Sequence, residues 1–424
     1  MTDFQSLGLC RPLLKAVEAN GYETPTPIQR EAIPYVLKGC DLLGLAQTGT
    51  GKTAAFGLPL ADRLLADPEP VLPKGTRALI LAPTRELVNQ IAANIRLFLR
   101  QTPISVTSVV GGVSLNPQIK RLSRGTDILV ATPGRLLDLV ERGAVRLDTA
   151  SVLVLDEADQ MLDLGFIHAL RKIAKLVSKQ RQTLLFSATM PKQIEDLAAT
   201  YLTDPVRVEV APAGRTADKV AQSVHFVARA DKTAFLTDLM VQRPDDTALV
   251  FCRTKHGAER LMKKLKAAGI AAGSIHGNKS QNQRDRAIRG LRSGEIKVLV
   301  ATDVAARGID IPGVSHVYNF DLPDVAEAYV HRIGRTARAG ASGDAVTLCG
   351  PEEIVLLRQI ERLTGVTLTI ASGEVPTRPA PGQSKPARPP RRPRSQNGSG
   401  EAKTGAKPRR PRNRRRTRQD KKVA

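Results

Sequence analysis

The chain has 424 residues, 42% of them hydrophobic, and a formal net charge of +23; at roughly 150 residues per domain it holds two or three domains, and it is no wholly disordered polymer. No apolar run approaches the ~20 residues of a membrane span, and the N-terminus lacks a basic start followed by an apolar stretch, so no membrane partner and no secretory leader are expected. Cys10, Cys40, Cys252 and Cys349 are far apart and form no CxxC pair, which fits a reducing, cytoplasmic setting and offers no zinc or disulfide framework.

Short runs rich in Val, Ile and Leu alternate with longer amphipathic stretches. In the first half, strands are expected at residues 41–46, 78–82, 106–110, 127–131, 152–155 and 183–186. They read as nearly continuous apolar runs, the pattern of parallel strands covered on both faces. Helical stretches at 52–65, 85–100, 167–177 and 192–201 lie between them, which implies βαβ units and an open α/β sheet. The stretch VAPAGRTAD then has linker composition. Further strands are expected at 248–252, 271–275, 297–301, 314–320 and 345–348. Two α/β domains follow, at 1–207 and 218–370, joined by a linker at 208–217.

Residues 371–424 contain 17 Lys+Arg against 3 Asp+Glu, a net of +14, so the rest of the chain carries +9. The segment also holds 9 of the 28 prolines and no aromatic residue. It cannot bury enough apolar surface to offset chain entropy, so a disordered Arg/Pro-rich tail is expected. A polyanionic partner is the first implication of such charge, although a merely solubilising surface has the same arithmetic.

The sharpest local signal is the octapeptide AQTGTGKT, comprising Ala46, Gln47, Thr48, Gly49, Thr50, Gly51, Lys52 and Thr53. It follows an expected strand and opens an expected helix. Backbone N–H groups of such a turn, together with the helix N-terminus, hold phosphate oxygens. Lys52 would reach the β/γ-phosphates and the Thr53 hydroxyl would ligate Mg²⁺. About a hundred residues on, an apolar strand delivers Asp156, Glu157 and Asp159. Asp156 would hold Mg²⁺, and Glu157 would orient and deprotonate the attacking water. Asp159 reads equally as a helix cap. The second half has no phosphate loop of its own, yet HRIGRTAR sets Arg335 and Arg338 three apart, on one face of a helix. Such a pair is usually a solvated face; aimed at a transferring γ-phosphoryl group, it would stabilise the developing charge.

Taken together, these motifs resemble the DEAD-box ATP-dependent RNA helicases over roughly residues 1–370, most nearly the compact bacterial type called RhlE. Phe4 with residues 21–29 (GYETPTPIQ) is similar to the adenine-recognising Q motif, residues 46–53 to motif I, and 156–159 to motif II. Residues 83–87 (PTREL), 111–112 (GG) and 132–135 (TPGR) are similar to the first domain's RNA-contacting motifs, and 187–189 (SAT) to motif III. In the second domain, residues 249–254, 281–284, 301–310 and 331–338 are similar to motif IV, the QxxR motif, motif V and motif VI. Departures are small: Val88 after PTREL, and Ala337 where glycine is frequent. Ala46 breaks the general phosphate-loop pattern but is normal for this family.

The resemblance implies two RecA-like domains in tandem that close on ATP, Mg²⁺ and RNA, hydrolyse the ATP and locally unwind short RNA duplexes or remodel ribonucleoprotein. Gln29 would read adenine through its side-by-side amide donor and acceptor, with Tyr22 or Phe4 stacking on or buttressing the base. Asp310 would reach the ribose. Ser187 and Thr189 would couple hydrolysis to strand separation. Arg85, Gly112, Thr132, Arg135, Arg284 and Thr302 would contact the RNA backbone, which positions RNA without reading its bases. Only 14 aromatics, none of them Trp, argue against a base-stacking platform. Ribosomal and RNA-decay complexes, or a part in cold adaptation, are roles that such proteins take, and nothing in the residues chooses among them. Two other readings stay open at this level. One is a tail-dominated annealing protein, to be told apart by annealing without ATP; the other is a structural ribonucleoprotein component, against which the intact Glu157, Arg335 and Arg338 count.

Overall fold

The computed structural model describes residues 3–47, 49–210, 220–306, 313–337 and 343–375. They form two lobes, each built on a seven-stranded sheet in which every pairing described is parallel. The first sheet contains β1 (Leu42–Leu45), β2 (Thr76–Leu81), β3 (Val106–Val109), β4 (Thr126–Ala131), β5 (Val152–Leu155), β6 (Gln182–Ser187) and β7 (Val206–Glu209), in the order β3-β4-β2-β5-β6-β1-β7. The second contains β8 (Val220–Phe226), β9 (Ala248–Phe251), β10 (Ala272–Ile275), β11 (Val298–Ala301), β12 (His316–Asn319), β13 (Gly343–Cys349) and β14 (Thr369–Ser372), in the order β10-β11-β9-β12-β13-β8-β14. The two orders match position by position, so β8 stands in the second lobe where β1 stands in the first.

Side-chain alternation explains why the central strands are apolar throughout. In β2, Ala78 and Ile80 enter the core on one side of the sheet, while Leu79 and Leu81 enter the core on the other. In β9, Val250 lies on one side and Leu249 and Phe251 on the other. Helices cover both faces, which leaves no polar face to break the pattern.

The apolar runs of the sequence correspond to β1–β6 and β9–β13, with ends shifted by a few residues at most. The expected helices are Lys52–Ala66, Arg85–Phe98, Ile167–Leu176 and Lys192–Tyr201. Three strands escaped the pattern. β7 is half exposed, β8 mixes Gln222, Ser223 and His225 among its apolar residues, and β14 is exposed along its whole length. These also correct the expected boundaries: β7 carries the first sheet past residue 207 into the expected linker, and β14 carries the second past residue 370. Both are outermost strands with one sheet neighbour and little burial, so composition gives no sign of them. The remainder of the linker from 211 to 217, and the tail from 376 onward, lie outside the described residues. Among the described residues, no helix is long and apolar enough to cross a membrane.

Candidate functional site

In the first lobe, β1 leads into the turn of residues 46–51. Gly49 and Gly51 have φ of +90° and +93°, the left-handed region that glycine enters without strain. Gly51 caps the helix Lys52–Ala66, and a Cβ there would overlap the amide of Gln29. The helix Pro27–Leu37 starts with a capping box, in which Thr26 N–H donates to Gln29 Oε1 at 2.9 Å. Gln29 Nε2 in turn donates to the Gly51 carbonyl at 3.1 Å. Gln29 is thus a buried strut between the helix start and the phosphate-type turn, with one further hydrogen-bonding position left at each end of its amide. Tyr22 is half-buried and meets Phe4 and Phe98 edge-on, at 6.3 and 5.7 Å between centroids. Phe4 lies in the core, so of the two expected ring partners only Tyr22 keeps exposed surface. Within the turn, Thr50 Oγ1 donates to the Gln47 carbonyl at 2.8 Å, and Ala46 N–H to the Ser187 carbonyl at 3.0 Å. Thr48 lies outside the described residues.

Lys52 is only 5% exposed. Its ammonium stands 3.8 Å from Asp156 Oδ1 and makes no hydrogen bond to any described residue. A buried cation in this condition suits an anion brought from outside. Asp156 sits at the C-terminal end of β5, and burial pushes its carboxyl up to about 6; Lys52 opposes that rise and Glu157 adds to it. Thr53 follows Lys52 in the first helical turn and is half-buried. Glu157 has φ of +52°, a left-handed conformation that costs a non-glycine residue about 1–2 kcal/mol. Strain of this kind gathers at functional positions.

The structure gives Asp159 a larger task than capping. Its Oδ2 accepts from Ala188 N–H at 3.0 Å, Thr189 N–H at 3.1 Å and Thr189 Oγ1 at 3.2 Å. Ser187 Oγ donates to the Thr189 carbonyl at 2.7 Å. The acidic tetrapeptide and the SAT segment are therefore one hydrogen-bonded unit, joined through Asp159.

In the second lobe, Arg335 is buried just beyond the helix Ala326–Ile333, and its Nε donates to the His331 carbonyl at 3.3 Å. Arg332, to which the sequence assigned no role, holds this segment down. Its guanidinium pairs with both Asp303 oxygens at 2.5 and 2.7 Å, donates to Asn319 Oδ1 and the Asp321 carbonyl, and lies over the Phe251 ring. Its place inside HRIGRTAR, one turn before Arg335, was the available signal. Arg338 and Asp310 lie outside the described residues.

The expected RNA contacts gather at strand ends of the two lobes. Gly112 has φ of +67°, and a Cβ there would overlap the Arg85 guanidinium. Thr132 caps the helix Pro133–Glu141, with its N–H donating to the Val109 carbonyl. Arg135 donates through both Nη atoms to the Val113 carbonyl, each at 3.2 Å. Thr302 follows β11, with its N–H on the Ile275 carbonyl. Arg284 Nη2 pairs with Glu86 of the first lobe at 3.0 Å and also donates to the Ala305 carbonyl. Gln281 accepts from Arg85 at 3.2 Å and donates to Glu86 at 3.2 Å. Burial and the nearby Arg284 charge lower the Arg85 pKa, with Glu86 opposing and Arg135 adding to the fall. Three guanidinium groups thus converge where the lobes meet, with Glu86 as the acid between them. Glu86 and Gln281 carried no assignment from sequence.

The DEAD/DEAH box helicase family matches residues 26–197, and the helicase conserved C-terminal domain matches residues 231–340. The DEAD-box ATP-dependent RNA helicase CshA of Bacillus cereus is 44% identical over 364 residues, 86% of this chain and 68% of that protein. Among solved structures, S. cerevisiae Dbp5 bound to RNA and ADP BeF3 matches with a TM-score of 0.79 and 32% identity, over 88% of this chain and 96% of that one. Mss116p bound to ssRNA and AMP-PNP also gives a TM-score of 0.79, at 28% identity, over 88% of this chain and 80% of that one.

Proposed function

The chain belongs to the DEAD-box ATP-dependent RNA helicases, and from that premise we propose how its residues divide the work. The observation that carries the proposal is the buried Lys52 ammonium, 3.8 Å from Asp156 and otherwise without a hydrogen bond. Lys52 and the backbone of Gln47, Thr48, Gly49, Thr50 and Gly51 take the phosphates of ATP; Gln29 and Tyr22 take the base, and Asp310 the ribose. Mg²⁺ fits the donors present, one buried carboxylate and a hydroxyl, because this ion keeps several waters and completes its shell with phosphate oxygens. Thr53 and Asp156 would hold it, and it would neutralise charge on the β/γ-phosphates. Glu157 orients the attacking water and accepts its proton. Arg335 and Arg338 stabilise charge on the γ-phosphoryl group, so hydrolysis needs both lobes in place.

RNA crosses the lobe junction on Arg85, Arg135 and Arg284, with backbone amides near Gly112, Thr132 and Thr302. Because Arg284 and Arg85 also bridge the lobes through Glu86 and Gln281, RNA binding and lobe closure share the same groups. Asp159 passes the state of the nucleotide site to Ser187 and Thr189. Residues 371–424, with a net of +14, raise the local concentration of RNA without choosing a sequence.

Within the family we assign the chain to the compact bacterial RhlE type, on the resemblance of its motifs over residues 1–370. Action in the cytoplasm goes with that assignment, and the four cysteines stand as free thiols. Backbone contacts do not select a target, so ribosomal and RNA-decay complexes are the candidate settings, and sequencing of crosslinked RNA would separate them.

The test is Glu157→Gln, which should bind ATP and RNA and release neither at the normal rate. Near-normal turnover would remove Glu157 from its role as base. Truncation after residue 375, which leaves β14 whole, should keep RNA-stimulated ATPase while flattening the salt dependence of RNA binding, by ~0.7 for each single-strand phosphate that the tail no longer neutralises.

A further inference from the structure

We propose that the outer face of the helix Lys255–Ala267 is a second phosphate-binding surface, which takes the RNA flanking the strand held between the lobes. The proposal rests on the RNA helicase assignment and extends it to residues outside the shared motifs.

The helix follows β9, with Thr254 Oγ1 accepting from Gly257 N–H at 3.0 Å. Ala258, Leu261, Met262 and Leu265 pack into the core, while Lys255, Arg260, Lys263, Lys264 and Lys266 are exposed. The helix contains a single acid, Glu259, and that acid is already engaged by Lys279 at 2.8 Å, Ser274 at 2.7 Å and His276 at 3.1 Å. Among the described residues, Arg260, Lys263, Lys264 and Lys266 pair with no carboxylate. The helix dipole favours Lys264 and Lys266 in the last turn, but it gives no reason for Arg260 nearer the middle, and like charges three and four residues apart oppose helix formation.

The fold does not demand this charge. The helix Arg85–Phe98 follows β2, the strand in the same position of the first sheet, and carries only two arginines and one glutamate. Arg85 and Glu86 there are engaged across the lobes.

Position points to RNA. The basic helix begins beside the C-terminal end of β11, where Thr302 stands, and its 13 residues run roughly 20 Å away from it. Near its start is a cavity of about 280 Å³ whose lining includes Arg229, Arg253, Arg260 and Lys264. The acids Asp321, Glu352 and Glu353 also line it, and Arg253 is held by Glu353 and Asp324; Arg229, Arg260 and Lys264 keep the lining net positive towards an incoming anion. No large hydrophobic residue of this helix is exposed. Protein partners usually anchor on apolar or aromatic groups, whereas nucleic-acid interfaces are polar and strongly basic.

The experiment measures affinity of the full chain, with a non-hydrolysable ATP analogue, for a short oligouridylate and for the same strand extended by a duplex at its 5′ or 3′ end. Arg260→Glu, Lys263→Glu and Lys264→Glu combined should lose about tenfold on an extended RNA and less than twofold on the short strand. The log–log salt slope on that RNA should fall by about 2, one unit or slightly less per phosphate. Thermal melting checks folding, and Lys263→Arg with Lys264→Arg should retain the wild-type preference. Equal loss on both RNAs, loss on neither, or the same loss from Arg171→Glu with Lys172→Glu on a first-lobe helix would each overturn the proposal. Wild-type protein that ignores even the short strand would instead overturn the RNA helicase reading beneath it.

Discussion

Each lobe begins its sheet in the same way: a strand, a turn, and a helix whose first residue is a buried lysine. In the first lobe that residue is Lys52 and in the second Lys232. Lys52 stands 3.8 Å from one carboxylate and hydrogen-bonds to nothing described. Lys232 donates to the Phe320 carbonyl at 2.9 Å, the Leu348 carbonyl at 2.6 Å and Glu353 at 2.5 Å, so all three of its protons are placed. The turns differ as well. Residues 46–51 include two glycines at positive φ, whereas residues 227–231 (VARAD) include none. A lysine at a helix start is therefore not itself a phosphate site; the turn must present its N–H groups and the lysine must be left without acceptors. The second lobe has the architecture of a nucleotide domain, with an internal carboxylate on the lysine.

On the proposed division of labour the second lobe contributes to chemistry through Arg335, where the largest effect is expected. Arg335→Ala should lower kcat by roughly 10³ or more while ATP binding is retained. Loss of nucleotide binding itself, measured by titration with a fluorescent ATP analogue, would refute the division between the lobes. The lysines come next. Lys52→Ala should lower turnover by about 10²–10³, the scale for one preorganised donor, with little change in melting temperature. Lys232→Ala should do the reverse: ATP affinity is kept, and the second lobe loses about 3 kcal/mol because Glu353 and two carbonyls are left buried without their cation. Arg253, which also pairs with Glu353, keeps the loss at that lower end. Denaturant unfolding and ATPase assays on both variants decide the matter, and a Lys232→Ala protein that melts normally but does not turn over would break the comparison. Asp159→Asn should act within the first lobe alone. It weakens the three hydrogen bonds from residues 188 and 189, so duplex unwinding per ATP should fall about tenfold while basal ATPase falls less.

What the sequence made legible follows the same physical line. The glycine turn of residues 46–51 and the place of Asp156 and Glu157 at the end of a strand were readable because the pattern is local: a few residues at fixed spacing after an apolar run. The central strands were readable because burial on both faces leaves an unbroken apolar run. β7 and β14 were not, being outer strands with little burial. Nor were Glu86 and Gln281, whose hydrogen bond is made across 195 residues of chain and across the lobe junction. Arg332 stood inside a recognised motif without a task, since a pairing to Asp303 depends on where motif V comes to lie. Ala337 was visible as a departure from glycine, and the structure adds its meaning: φ is +52° there, so alanine stands where glycine would be unstrained.

The smallest expected effect concerns Glu259, the only acid on the basic helix. The one acid of the first-lobe helix, Glu86, sits nearer the helix start and bridges the lobes, whereas Glu259 stays within its own lobe. The Lys279 hydrogen bond, helped by Ser274 and His276 and opposed by partial burial, holds the Glu259 carboxyl down at about 2, against an ordinary value of 4.5. A depressed folded-state pKa means that the unfolded chain takes up the proton first. The stabilisation is therefore complete above the ordinary value and is lost as the pH falls through 4.5 towards 2. Its side chain is 30% exposed, so solvent screening keeps the contribution below about 1 kcal/mol. The difference in melting temperature between wild type and Glu259→Gln should be constant near neutral pH and shrink from about pH 4.5 downward. A difference that does not change with pH would mean that Glu259 is held by packing and not by its pair with Lys279; its charge would then offset the cations of its own helix, and the basic face would be less positive than the geometry suggests.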